Sequence, residues 1–225
     1  MNGMLGLARI FDRFARSVGK MAGWLILPLI FVIMFDVITR KLDFTRLYFA
    51  DYTAASGFSV STVLQDMQWH LHAVLLMLTF GFGYLTNAHV RVDVFRELLT
   101  RRAQGWLEFC GLIILGIPFL VLMIYYATDL AGLSFMQGEG SDSLTGIGKR
   151  WIVKSAMPVG FVIAMIAVLA TLIRLIAYLF GTVDQQEEAL DGLEIFADEH
   201  DELDAARMAA ERALEETLKA SGGGR

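Results

Sequence analysis

Gln68-Trp69-His70-Leu71-His72 opens the stretch that decides how this chain is to be read, and the stretch runs on to Arg102. An apolar run without charge, residues 73–86, follows it and ends in Asn87-Ala88-His89-Val90-Arg91-Val92-Asp93-Val94-Phe95-Arg96-Glu97. Tryptophan favours the level of lipid headgroups and charge is excluded from hydrocarbon, so the order describes a helix that crosses a bilayer and turns at its surface. If the chain is helical after Asn87, His89 and Asp93 stand four residues apart and can pair. Val90, Val94, Phe95, Leu98 and Leu99 then make an apolar face, with Arg91, Arg96 and Arg101 toward headgroups. An interfacial amphipathic helix is therefore expected between the second and third spans.

The rest of the chain supports a membrane setting. It has 225 residues, 56% of them hydrophobic, and a mean hydropathy of +0.54, a value soluble domains of this size rarely reach. The formal charge of -5 conceals a division: residues 182–225 hold 13 acidic and 4 basic side chains, and residues 1–181 hold 11 and 15. No dense basic stripe with interleaved aromatics exists, so nucleic acid is not an expected partner. A single cysteine, Cys110, excludes an intramolecular disulfide and a cysteine-based metal cluster.

An all-α membrane protein with four transmembrane helices is expected, the spans lying at about 21–39, 69–86, 106–126 and 152–180. Residues 1–20 form a basic amphipathic segment: Leu7, Phe11, Phe14 and Val18 recur at helical spacing beside Arg9, Arg13, Arg16 and Lys20. That segment suits either a helix among anionic headgroups or a solvated lead-in to the first span. The first span is long for a signal sequence and no small-residue cleavage site follows it, so it is expected to be retained. Residues 41–67 and 127–150 are expected to be loops, the second marked by Gly138, Gly140, Gly146 and Gly148. The membrane domain covers 21–181, and 182–225 is an acidic cytoplasmic tail with helix-forming composition from 199 to 219. Lys and Arg near the spans number eight on the side of the amino terminus and middle connection and six on the other. That bias places both termini in the cytoplasm.

The spans offer little chemistry. Asp36, Glu108 and Arg174 all lie near span ends, where Arg174 is expected to reach toward the cytoplasmic interface. A transport pathway usually leaves ionisable groups at bilayer depth. His70, His72 and His89 all belong to the second span or its edges, so they cannot form a facing pair for haem. No carboxylate or cysteine cluster joins them for a metal, and no nucleophile-base, phosphate-loop or dinucleotide motif appears. No catalytic residue, cofactor or metal is expected. Such a chain is read as one subunit of a larger assembly.

Residues 66–97 carry a resemblance to a family. Asp66-Met67-Gln68-Trp69-His70-Leu71, the apolar run and Asn87-Ala88-His89-Val90-Arg91-Val92-Asp93 resemble the small, DctQ-type membrane subunit of tripartite ATP-independent periplasmic (TRAP) transporters. That family leaves its second span through a Gly-His-Val-Arg-Val-Asp-like motif; here Ala88 replaces the glycine. Lys149-Arg150-Trp151-Ile152-Val153-Lys154-Ser155-Ala156-Met157-Pro158 is similar to the family's entry into its last span, and Pro118-Phe119 fits its third. The resemblance covers roughly 20–180 and omits the acidic tail. It implies a bacterial inner-membrane protein paired with a large DctM-type membrane subunit. In such a system the large subunit binds substrate and sodium and moves, a periplasmic binding protein delivers an organic acid or related solute, and the small subunit braces the scaffold. Trp69, His70, His89, Arg91, Asp93, Arg96, Trp151, Lys154 and Pro158 become candidates for contacts with partner or lipid. A membrane anchor for a redox or signalling complex is the alternative class, and a self-contained small transporter or channel a third.

Overall fold

The computed structural model describes residues 2–57, 59–88, 99–141, 143 and 145–193. Among these every regular element is a helix. α1 (Asn2–Gly23) and α2 (Ile26–Lys41) form an almost continuous rod, interrupted at Trp24-Leu25. Pro28 accounts for the interruption. It has no N–H to give the Trp24 carbonyl, which accepts from Leu27 at 3.2 Å instead. α3 (Asp43–Ser56) and α4 (Val60–Leu85) come next. α5 (Arg101–Gly111) passes through a π turn, Leu112–Gly116, into α6 (Ile117–Met136). Pro118 stands just beyond that turn, where the Ile117 N–H reaches back to Leu112. A short α7 (Trp151–Lys154), the long α8 (Ala156–Phe180) and α9 (Val183–Asp191) complete the described chain.

α8 is the axis of the bundle. It packs against α4, α1, α6 and α9, and it buries Ile163, Ala164, Ala167, Val168, Leu172 and Leu175. Its tightest crossing is with α4. A Cβ on Gly160 would come within 2.5 Å of the Met77 carbonyl oxygen, and one on Gly81 within 3.0 Å of that of Ile163. Each helix thus gives up a side chain to let the other's backbone approach, the usual device where lipid supplies no hydrophobic drive between helices. Large apolar side chains turn outward instead: Leu115 is 71% exposed and Phe31 70%.

Three described helices are long and apolar enough to cross a membrane: Gly3–Lys41, Arg101–Met136 and Trp151–Phe180. α4, the expected second span, is not among them, because Gln68, His70 and His72 dilute its apolar run. The expected loop at 41–67 needs correction, and the helices extend past the expected spans. Residues 43–56 are helical where a loop was expected, and α4 begins at Val60, nine residues before Trp69. The third long helix runs on to Met136, ten residues past 126. α1 packs onto the bundle. It buries Leu5, Ala8, Ala15 and Ala22 against α4 and α8 and leaves Leu7, Ile10 and Phe14 exposed. Of the predicted interfacial helix after Asn87, residues 89–98 lie outside the described residues, Leu99 lies in a bend and Arg101 begins α5; the predicted tail helix, 199–219, lies outside the described residues as well.

Candidate functional site

Polar side chains gather at three nodes, one at the end of the bundle near α1 and α9 and two at the opposite end. The first centres on Arg174, which is buried rather than reaching into an interface. Its guanidinium donates to Asp12 Oδ1 at 3.2 Å and to the Gly192 carbonyl at 2.7 Å, tying α8 to α1 and to the end of α9. Arg16 shares Asp12 at 3.1 Å and also donates to the Leu85 carbonyl at 3.4 Å, where α4 ends. There the chain turns through Asn87, whose φ of 51° is a left-handed conformation asparagine tolerates. The Asn87 and Ala88 N–H groups return to the Tyr84 and Gly83 carbonyls. Arg102 donates to the Leu179 carbonyl at 3.4 Å, so the starts of α1 and α5 and the ends of α4 and α8 belong to one side.

At the other side, Asp36 is 5% exposed and links α2 to α4. Arg40 meets it through two bonds at 2.9 and 2.8 Å, and Gln68 and Ser61 donate to it at 3.1 and 3.4 Å. The third node is Asp66, one turn before Trp69. Its Oδ2 accepts from Ser141 Oγ at 2.7 Å and the Ile147 N–H at 2.8 Å; its Oδ1 accepts from Trp69 Nε1 at 3.2 Å. Asp66 therefore holds the connection after α6 down on α4. Burial pushes its carboxyl up, but the bonds from Ser141, Trp69 and Ile147 and the nearby Arg150 charge outweigh it. The net effect holds the carboxyl below the usual carboxylate range. Gly146 leaves room for this bond, since a Cβ there would stand 2.3 Å from Asp66 Oδ2 and would displace it. Lys154 bonds Glu139 across the same connection and holds that carboxyl below its usual value.

The expected site residues divide accordingly. Trp69, His70, Trp151 and Lys154 cluster about this connection. The Trp69 ring lies 3.9 Å from the His70 ring, Arg150 sits 5.4 Å above Trp69, and Trp151 meets Phe135 edge-on at 5.2 Å. His70 Nδ1 contacts the Asp66 carbonyl. Pro158 lies apart from them. It falls in the first turn of α8 and leaves the Lys154 carbonyl without its i+4 donor, which is where α7 gives way to α8. His89, Arg91, Asp93 and Arg96 lie outside the described residues. Sequence reasoning missed Asp66, Ser141 and Glu139 as partners, although Asp66 begins the very stretch that carried the resemblance. No group of three or more His, Cys, Asp or Glu able to hold a metal is found among the described residues.

Described residues whose regular elements are all helices, with long outward-facing apolar faces and internal charges bonded within the chain, define a membrane subunit class. Residues 29–177 match the family described as tripartite ATP-independent periplasmic transporters, DctQ component, and the chain belongs to that family. It is also 27% identical over 211 residues to the C4-dicarboxylate TRAP transporter small permease protein DctQ of Pseudomonas aeruginosa, covering 88% of this chain and 99% of that protein. No solved structure matches. The chain is a TRAP transporter component, and TRAP components serve transport.

Proposed function

We propose that this chain is the scaffold subunit of a binding-protein-dependent, sodium-coupled importer of organic acids in the bacterial inner membrane. Its partners are a large DctM-type membrane subunit and a periplasmic substrate-binding protein. α4 completes a set of four spans, with Gln68, His70 and His72 near one interface, and both termini face the cytoplasm. The observation that supports the role best is how the charged nodes are used. Asp12, Asp36, Asp66 and Arg174 bond to groups of this chain, and each joins separate elements. They stiffen the subunit. A C4-dicarboxylate is the substrate named for the Pseudomonas relative, and a carboxylate of that class is the first to test here.

The test is reconstitution. Vesicles holding this chain and the large subunit, supplied with the binding protein and an inward sodium gradient, should accumulate labelled C4-dicarboxylate. Vesicles lacking this chain should lose most of that uptake. Uptake by this chain alone, or full uptake without it, would overturn the scaffold role. Co-purification of a haem with the chain would favour the redox anchor instead.

A further inference from the structure

α1 carries a feature that bracing a partner does not require. Arg9, Arg13, Arg16 and Lys20 recur at intervals of four, three and four residues, which sets them in one stripe roughly 16 Å long. With Asp12 and Ser17 they line a shallow concavity of about 290 Å³. Arg9, Arg13, Ser17 and Lys20 are exposed. Asp12 does not neutralise the stripe, because its carboxylate is shared between Arg16 and the buried Arg174, and Glu188 pairs with Arg9 alone, at 3.7 Å. Directly after it along the rod runs an exposed apolar stripe, Trp24, Leu27 and Phe31, at 71%, 55% and 70% exposure.

Length fixes where these stripes lie. The helix Gly3–Lys41 has 39 residues, about 58 Å of helix against a hydrocarbon core of about 30 Å. About half of it must lie beyond the core. α2 has no charge before Asp36 and takes the apolar part, so the basic stripe falls at a leaflet boundary. Arg16 marks the same level independently through its bond to the Leu85 carbonyl, where the apolar run of α4 ends. We infer that the Arg9–Lys20 face of α1 is a binding site for an anionic phospholipid, its headgroup on the cations nearest the boundary and its chains running along Trp24, Leu27 and Phe31. An acidic polypeptide matches only the first stripe and leaves the second bare. A phospholipid matches both.

The site concerns this subunit alone, so its test needs no partner, and failure would leave the scaffold role untouched. The full chain, purified in a mild detergent, is titrated with phosphatidylglycerol or with phosphatidylcholine of identical chains, and retained lipid is read by native mass spectrometry. Phosphatidylglycerol should be retained preferentially. The exposed double variant Arg13→Gln/Lys20→Gln should weaken that retention about twenty-five-fold, since each cation near an anionic headgroup contributes about fivefold. The melting temperature without added lipid should stay the same. Equal retention of both lipids, or an unchanged preference in the double variant, overturns the site. So does a preference that emerges only after residues 194–225 are deleted, because the acidic tail would then be the occupant.

Discussion

Among single residues, Arg174 and Asp66 hold most. Arg174→Met removes the donor to Asp12 and to the Gly192 carbonyl while keeping an apolar stem. Asp12 retains Arg16, so the loss should be about 2 kcal/mol, below the 3–5 kcal/mol of a fully orphaned buried charge. Thermal unfolding in detergent reads it. Asp36 and Arg174 were both visible as charges near span ends, but their partners were not. A pairing such as Asp12 with Arg174 joins residues 162 positions apart, and no local periodicity encodes it. Gly81 was legible as a packing glycine because small residues in an apolar helix have few other uses. For Arg91 and Asp93 the prediction is functional: Arg91→Ala or Asp93→Asn should reduce recovery of the large subunit in a pull-down. Wild-type assembly together with wild-type uptake would refute that pinning role.

Between elements, the connection from α6 to α7 is the most tightly specified. Gly138, at φ 61°, ends α6: its N–H returns to Phe135 and the next N–H to Ser134. Asp66 and Lys154 then fasten the connection to α4 and across its own width. A carboxyl held below its ordinary value binds its proton more weakly in the fold than in the unfolded chain. Its contribution is therefore present above the unfolded value of about 3.9 and is lost as pH falls through the lower folded value. Asp66→Asn should cost about 1–2 kcal/mol at neutral pH. The gap in melting temperature between wild type and variant should close below about pH 4. A gap that persists at low pH would mean that the asparagine fails for steric reasons. Glycines announced this connection in the sequence, yet its carboxylate anchor lay on another helix and stayed hidden. α3 was missed for a different reason. Its Phe44, Leu47, Tyr48 and Tyr52 do fall at helical spacing, but Asp43, Arg46 and Asp51 among them suggested a polar loop.

The whole molecule is a bundle drawn inward by small residues and finished outward by large apolar ones, and the long helices were legible because hydropathy over some twenty residues leaves few alternatives. The stagger of the helices was not. It depends on where α4 and α8 cross, and two glycines set that point. Their contacts also divide the chain's tolerance of second-site repair. A side chain at 160 meets the backbone oxygen of Met77, which no change at 77 can move out of the way. A Cβ at 105 comes nearest to the ring of Tyr178 and a methyl of Leu179, side-chain atoms all. Gly160→Leu should cost about 3 kcal/mol or more and yield no intragenic suppressor at position 77. Gly105→Leu should be rescued by Tyr178→Ala, so a selection for restored uptake would separate backbone collisions from side-chain ones by genetics alone.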